Sequence, residues 1–155
     1  PFYVRLGRAK VPEVYDAQTT LELGKSYVLS EGTDVTVIAA GVEVAQALEA
    51  KELLAAEGIS AEVVDAFSIK PFDKETLLAS VKKTGCVVTC EEHSTVGGLG
   101  SAVADILGEN YPVPLERVGV RDSFGTSGDP NELLAEFKLD AAGIVEKVKA
   151  VLARK

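Results

Sequence analysis

The amino-acid sequence predicts an α/β protein, arranged as a three-layer α/β/α sandwich around a mostly parallel sheet. Runs rich in Val, Ile and Ala alternate along the chain with segments whose apolar residues recur at helical spacing, and the connections are short. The central runs consist mainly of Val, Ile and Ala, as is typical of strands covered by helices on both faces. With 155 residues, the chain is expected to form a single domain, 1–155, around one sheet.

The strands are predicted first from apolar runs bounded by turn residues. An early pair of strands is expected to add an antiparallel edge, and the later strands are expected to form the buried parallel part of the sheet. The predicted strands are 2–6, 21–29, 35–41, 59–67, 86–90 and 115–120.

The helices are predicted from apolar periodicity together with their start and stop signals. Gly58 and Gly85 are placed where helices end, and Asp73 is the expected N-cap of the helix that Gly85 closes. The helix after the fourth apolar run opens with glycines. The predicted helices are 42–57, 73–84, 97–109, 131–137 and 141–153.

Charge and composition exclude some partners. The formal charge of −8 disfavours nucleic acid, whose phosphates require a cationic face. No apolar run reaches the ~20 residues that span a bilayer, so no membrane partner is expected. Cys86 and Cys90 fall on one face of a strand, about 13 Å apart, which is too far for a disulfide. Two reduced cysteines favour a cytoplasmic protein.

The sequence contains no Met and opens inside the predicted strand 2–6. We therefore expect the chain to be a fragment of a larger polypeptide or the end of a split subunit.

The segment 90–101 is the first candidate site, because ligands of such sheets bind beyond the carboxyl ends of the strands. It contains Glu91, Glu92, the only histidine, His93, and a glycine-rich helix start at Gly97 and Gly98. Backbone N–H groups at a helix N-terminus favour an anion. The competing interpretation is close packing of helix on strand, where only glycine fits, with His93 in a structural or interdomain role.

Catalytic interpretations of the same segment are weaker. Cys90 and His93 resemble a nucleophile pair, but Cys90 is expected to be buried in a strand. Glu91 and Glu92 are adjacent in sequence, and adjacent residues on a strand point to opposite faces, so they are not expected to act as one acid–base pair. His93 has no second imidazole or cysteine cluster nearby, so no metal site is predicted.

A second candidate site lies near the start of the chain. Arg5 and Arg8 flank Leu6-Gly7, with Lys10 close behind. Clustered cations beyond a strand can hold a phosphate, and arginine does so with a two-pronged grip. The alternative is a solvated loop. The polar turn 125–130 is expected to be a loop and helix N-cap only.

Four segments together resemble transketolases, in the same order and at the same intervals, over essentially the whole chain. They are Tyr3-Val4-Arg5-Leu6-Gly7-Arg8, the strand 34–41, Phe67-Ser68-Ile69-Lys70-Pro71-Phe72-Asp73, and Glu91-Glu92-His93 followed by Gly97-Gly98-Leu99-Gly100. The chain is similar to the C-terminal domain of the shorter transketolases, including those made as two polypeptides.

The resemblance implies a five-stranded sheet between helices, with its first strand antiparallel to the others. It implies that thiamine diphosphate and Mg (or Ca) are bound by the two other domains of the enzyme, in the same or a separate chain, within a homodimer. The family is a transferase of the pentose phosphate pathway, moving a two-carbon ketol unit from a ketose phosphate to an aldose phosphate. The cofactor supplies the carbanion and the protein supplies orientation.

This chain lacks the Gly-Asp-Gly run ending in Asn that holds the cofactor's metal, and no glutamate can be assigned to cofactor activation. No catalytic residue is therefore carried over, and the domain alone is expected to bind no cofactor and to be inactive. By motif position, the resemblance gives Arg8 the contact with the substrate phosphate, with Arg5 the weaker candidate.

Three alternatives remain open. Deoxyxylulose-5-phosphate synthase would show Tyr-Pro-Arg-Gly after the first strand, where this chain has Leu6-Gly7-Arg8-Ala9. Beta subunits of 2-oxoacid dehydrogenases usually lack the Glu-His before the glycines. The third alternative, from another class, is a non-catalytic assembly module.

Overall fold

The sheet has five strands, in agreement with the predicted three-layer fold. The computed structural model describes residues 1–7 and 10–155. The strands are β1 (Tyr27–Ser30), β2 (Val35–Ala40), β3 (Ala61–Asp65), β4 (Val87–Ser94) and β5 (Leu115–Val120). Their order is β1-β3-β2-β4-β5. β1 pairs antiparallel with β3, and the other neighbours pair parallel.

Helices cover both faces of this sheet. They are α1 (Glu43–Ala56), α2 (Lys74–Thr84), α3 (Leu99–Asn110), α4 (Pro130–Glu136) and α5 (Ala141–Leu152). α1 and α5 pack together on one face, and α2 and α3 on the other. Because successive strand residues point to opposite faces, Val37 and Val63 enter the first core, while Ile38 and Val64 enter the second. Burial on both faces explains why these strands are rich in Val, Ile and Ala.

The predicted start and stop of α2 are confirmed. The Asp73 side chain accepts a hydrogen bond from the Thr76 backbone N–H at 3.1 Å, which satisfies one of the unpaired donors of the first turn. Gly85 ends the helix in the left-handed conformation, with φ of 74°. A side chain disfavours that conformation, so glycine is the residue expected there.

The predicted strand 2–6 is wrong: residues 1–7 have no regular secondary structure. Phe2 and Tyr3 are 84% and 91% exposed. A strand gains stability only when a neighbouring strand pairs with its backbone and a core accepts its apolar face, and here neither sheet edge pairs with this segment. The strand predicted at 21–29 is also shorter, because only Tyr27–Ser30 pairs with β3.

The loop predicted after residue 90 is partly strand. β4 continues to Ser94, so Glu91, Glu92 and His93 belong to the sheet. Cys86 and Cys90 are both free and buried, and both face the core under α1 and α5, as their spacing predicted.

Among the described residues, no helix is both long and apolar enough to cross a membrane.

Candidate functional site

The topology defines a crevice at the carboxyl ends of β2 and β4. From β2 the chain passes to β3 on one side, then returns past β2 to β4 on the other. Adjacent parallel strands whose connections leave in opposite directions open a crevice at their carboxyl ends, where α/β proteins usually bind ligands. Glu43 follows β2, and Glu91, Glu92 and His93 end β4.

Glu91 is built into the start of α3. Its side chain is only 7% exposed. Oε2 accepts a hydrogen bond from the Leu99 backbone N–H at 2.7 Å, and Oε1 accepts one from the Gly100 N–H at 2.8 Å. The carboxylate therefore meets the positive end of the helix and two donors that would otherwise lack partners.

Two glycines make this capping contact sterically possible. A Cβ on Gly98 would lie 2.0 Å from Glu91 Oε2, and one on Gly100 would lie 2.9 Å from Thr89 Oγ1. The close-packing interpretation of the glycine run therefore accounts for these two positions. Gly97 differs: its φ is +79°, with no atom near a Cβ built there, and its N–H bonds Ser101 Oγ at 2.9 Å.

An anion-binding role for the loop of Glu92, His93, Gly97 and Gly98 stays a prediction. The Leu99 and Gly100 N–H groups at the start of α3 already bind the protein's own carboxylate. Any external anion must use donors other than these two.

The structure brings Arg5 to the end of β4. Its guanidinium donates a hydrogen bond to the Glu92 backbone carbonyl at 2.6 Å. Both side chains are exposed, as is His93, whose Nδ1 lies 3.8 Å from Glu91 Oε2 and 2.8 Å from the Ser94 carbonyl. Arg5 and the Glu92-His93 pair, which the sequence treated as separate candidates, thus form one surface. Arg8, the first candidate for phosphate binding, lies outside the described residues.

Glu43 is a buried carboxyl group that the sequence interpretation missed. Its side chain is 0% exposed, and neither carboxyl oxygen receives a hydrogen bond from any described residue. Burial, with smaller contributions from Glu92 and Asp140, raises the pKa of Glu43 from 4.5 to about 8. The available signal was a glutamate immediately after the turn that follows a buried, Val- and Ala-rich strand.

Asp65 and Tyr15 form a second buried polar group at this edge, also missed from the sequence. The Tyr15 hydroxyl donates a hydrogen bond to Asp65 Oδ2 at 2.7 Å. Burial raises the pKa of Asp65, and the bond from Tyr15 partly opposes that effect. Burial also raises the pKa of Tyr15, with the Asp65 carboxylate adding to it, so the hydroxyl stays a donor at neutral pH.

The described residues do not fit thiamine diphosphate. At the carboxyl edge, the acidic side chain of Glu92 is exposed and would repel a diphosphate. In the described portion, no three His, Cys, Asp or Glu side chains are grouped to hold a cation. Burial, followed by the nearby Glu43 and Glu91, raises the pKa of the Cys90 thiol, so it is a poor nucleophile. We assign no catalytic step to this chain.

The fold and the crevice define a doubly wound α/β domain with one antiparallel edge strand. Residues 24–144 match the family described as "Transketolase, C-terminal domain". The chain therefore belongs to the transketolase C-terminal domain family.

Similar proteins include transketolase subunits. The chain is 50% identical over its whole length to a 6-deoxy-6-sulfo-D-fructose transketolase subunit of Clostridium sp. (strain MSTE9), covering 48% of it. It is 45% identical to an apulose-4-phosphate transketolase subunit of Phocaeicola vulgatus, over 93% of this chain and 46% of that protein. A 1-deoxy-D-xylulose-5-phosphate synthase of Geobacter sulfurreducens is 41% identical over 87% of this chain and 22% of its own length.

Solved structures agree with these relatives. A structure described as "Split gene transketolase, inactive beta4 tetramer" has a TM-score of 0.92 and 51% identity, over 95% of this chain and 48% of that chain. A transketolase from Pichia stipitis, at 24% identity and a TM-score of 0.64 over 84% of this chain and 18% of that one, shares the fold. The chain thus spans about half the length of the transketolase subunits it matches.

Proposed function

We propose that this chain is the C-terminal domain of a thiamine-diphosphate-dependent transketolase that moves a two-carbon ketol unit from a ketose to an aldose. The observation that carries the proposal is the match over the entire chain to a transketolase subunit at 50% identity. In this proposal the domain supplies a contact for the charged end of the sugar and helps the enzyme to assemble.

The substrate contact is assigned to Arg8, by its motif position, with Arg5 as a second candidate. The geometry of Arg5 supports its own candidacy, because its bond to the Glu92 carbonyl uses one of its donors and a guanidinium carries five. The remaining donors are on an exposed side chain at the carboxyl edge of the sheet. A planar guanidinium matches two oxygens of a tetrahedral anion.

We propose that the sugar carries a terminal phosphate or sulfonate. The names of two similar subunits contain a sulfonated and a phosphorylated sugar, respectively. Both groups present anionic oxygens in tetrahedral geometry, so an arginine contact serves either one.

Thiamine diphosphate and Mg (or Ca) are assigned to the enzyme's other two domains, in the same or a separate chain, within a cytoplasmic homodimer. The acidic carboxyl edge described above supports that assignment. We also propose that the 155 residues alone have no turnover. The reason proposed is that they bind no cofactor by themselves. Thiamine diphosphate with magnesium should then leave their melting temperature unchanged, because only a ligand that binds the folded state raises it. A clear upward shift would contradict this.

The reaction is tested on the intact enzyme, this chain together with its cofactor-binding part. Xylulose 5-phosphate is offered with ribose 5-phosphate, and in parallel 6-deoxy-6-sulfo-D-fructose with glyceraldehyde 3-phosphate. Sedoheptulose 7-phosphate in the first mixture, or transfer of the ketol unit in the second, supports the proposal. Absence of transfer from both donors, with cofactor bound, rejects it.

The arginine contact is tested by Arg8→Ala and Arg5→Ala. Loss of a charge-assisted hydrogen bond should raise the KM for the anionic sugar roughly 10- to 100-fold for Arg8→Ala, with a smaller rise for Arg5→Ala. Arg121→Ala removes an exposed arginine that has no assigned role, and is the matched control. An unchanged KM in Arg8→Ala would reject the assignment to Arg8.

A second candidate is deoxyxylulose-5-phosphate synthase, favoured by the 41% identity to the Geobacter sulfurreducens enzyme. Pyruvate and glyceraldehyde 3-phosphate given to the same intact enzyme distinguish the two. Formation of deoxyxylulose 5-phosphate would keep the superfamily and replace the transketolase reaction.

A further inference from the structure

His93 lies at the end of β4, on the same exposed surface as Arg5. Its side chain is 44% exposed, and it is the only histidine in the sequence. The ketol transfer proposed above gives this ring no role. The two ring nitrogens have different surroundings, and that difference indicates what the ring can bind.

Nδ1 of His93 carries a proton. It lies 2.8 Å from the Ser94 backbone carbonyl oxygen and 3.8 Å from Glu91 Oε2. A carbonyl oxygen and an ionised carboxylate only accept hydrogen bonds, so Nδ1 must be the donor. In the neutral ring, the lone pair that accepts a hydrogen bond is therefore on Nε2.

Nε2 is the nitrogen left for a ligand. The ring's one hydrogen bond to a described residue is made through Nδ1. Gly98 also lies on the Nδ1 side, where a Cβ would approach this atom to 2.9 Å. The internal contacts are thus on the Nδ1 side of a ring that is nearly half exposed, and Nε2 is available to a bound molecule.

Arg5 places a guanidinium close to this ring. Its hydrogen bond to the Glu92 carbonyl oxygen is 2.6 Å long, and that carbonyl shares one planar peptide unit with the His93 Cα. The bonded guanidinium nitrogen is therefore within about 6 Å of the His93 Cα. One exposed surface thus presents a charged donor that suits oxyanions and a ring nitrogen that suits a different group.

A hydroxyl is the group that suits Nε2. A hydroxyl donates to the bare nitrogen of a neutral ring and accepts from a protonated ring, so it bonds His93 in either state, whereas an oxyanion bonds only the protonated ring. In a sugar that ends in a phosphate or sulfonate, the next carbon carries a hydroxyl a few bonds from the anion. One molecule can therefore contact an arginine with its charged end and Nε2 with this hydroxyl.

We propose that His93 determines specificity for the sugar, with Nε2 hydrogen-bonded to the hydroxyl on the carbon next to the one that bears the phosphate or sulfonate. This inference rests on the function proposed above. It adds selection for a hydroxylated sugar over other aldehydes with an anionic end. The arginine contact does not make that selection, because it involves the anion alone.

The test measures kcat/KM of the intact enzyme for two isotopically labelled acceptors, with a ketose donor that supports transfer. The acceptors are glyceraldehyde 3-phosphate and 3-phosphooxypropanal, which differ only in the hydroxyl next to the phosphate-bearing carbon. Each variant is compared with the unaltered enzyme on the same acceptor, so the different reactivities of the two aldehydes cancel.

Two substitutions separate the two sides of the ring. In His93→Asn the amide nitrogen takes the place of Nδ1 and can still donate to the Ser94 carbonyl, but nothing replaces Nε2. We expect kcat/KM for glyceraldehyde 3-phosphate to fall roughly 3- to 10-fold, as for the loss of one neutral hydrogen bond, with no change for 3-phosphooxypropanal. In His93→Gln the longer side chain brings its amide to the position of Nε2, so this variant should lose less.

Glu109→Gln, at an exposed position on α3, is the control and should match the unaltered enzyme with both acceptors. Melting temperatures establish that each variant is folded. His93→Ala, which removes both nitrogens, gives the same contrast between acceptors if His93→Asn does not fold.

Two results would overturn the inference and leave the proposed function in place. One is an equal fall in kcat/KM for both acceptors in His93→Asn, which would be a structural effect. The other is no change for either acceptor. Absence of ketol transfer by the unaltered enzyme would reject the proposed function, and this inference with it.

Discussion

Two helices of this domain start at neighbouring strand ends, and each has a buried glutamate at its start. At the β4–α3 corner, Glu91 is 5% exposed and accepts two backbone hydrogen bonds. At the β2–α1 corner, Glu43 is 0% exposed and accepts none from the described residues. The same chemical group is thus fully hydrogen-bonded at one corner and has no partner among the described residues at the other.

The difference follows from which element carries the glutamate. Glu91 is on the strand, so its side chain reaches across to the N–H groups that the first turn of α3 leaves free. Glu43 belongs to the first turn of its own helix, and the ionisable groups that act on it are the carboxylates of Glu92 and Asp140. A carboxyl group stays ionised when buried only if donors or cations replace water, and Glu43 has neither among the described residues.

The largest loss of stability is expected at the β4–α3 corner, when an added side-chain atom disrupts the hydrogen bonds of Glu91. Gly98→Ala places a Cβ against Glu91 Oε2, so the carboxylate must leave both of its donors. Overpacking and the loss of two charge-assisted bonds should together lower the unfolding free energy by about 5 kcal/mol, measured by urea denaturation.

Gly108→Ala on the same helix is the control for Gly98→Ala. No atom lies near a Cβ built there, and alanine is the better helix former, so stability should rise by about 0.5–1 kcal/mol. A loss below about 1 kcal/mol in Gly98→Ala would show that Glu91 is not held as described.

The second-largest effect is a pH-dependent change of stability caused by Glu43 at the β2–α1 corner. Because the pKa of Glu43 is raised from 4.5 to about 8 on folding, the folded state holds the proton more tightly. The stability it contributes is complete below pH 4.5 and is lost as pH rises toward 8. Glu43→Gln stays neutral, so it should gain roughly 3–4 kcal/mol over the unaltered protein at pH 9, and little at pH 4.5.

The measurement for Glu43→Gln is urea denaturation of both proteins across this pH range. Glu49→Gln, at an exposed position of α1, is the control and should change stability little at any pH. Parallel pH profiles for the unaltered protein and Glu43→Gln would mean that Glu43 has a hydrogen-bond partner.

The smallest of the three effects is Glu91→Gln, the same substitution at the satisfied corner. An amide accepts through one oxygen only, and its NH₂ would face a backbone N–H. We expect a loss of about 2–3 kcal/mol at pH 7 in the same denaturation measurement. Opposite signs for Glu43→Gln and Glu91→Gln would confirm the contrast, and equal signs would refute it.

Local signals in the sequence predicted much of this fold. The N-cap at Asp73 and the stop at Gly85 depend on a side chain or backbone conformation a few residues away, so their types and spacing suffice. The runs 35–41 and 59–67, rich in Val, Ile and Ala, likewise indicated buried strands. The strand predicted at 2–6 was wrong because pairing depends on a neighbour that local pattern does not reveal.

The candidate site residues also divide into features set by local sequence and features set by tertiary contacts. By itself, the sequence determined that residues 90–101 join a buried strand to a glycine-opened helix, and that Glu91 and Glu92 point to opposite faces, because side-chain direction alternates along a strand. Only the tertiary structure decided that Glu91 caps α3, that Arg5 reaches Glu92, and that the described residues leave the buried Glu43 and Asp65 without full hydrogen bonding. Those facts depend on which segments the sheet order places side by side, since desolvation and hydrogen bonding are set by neighbours distant along the chain.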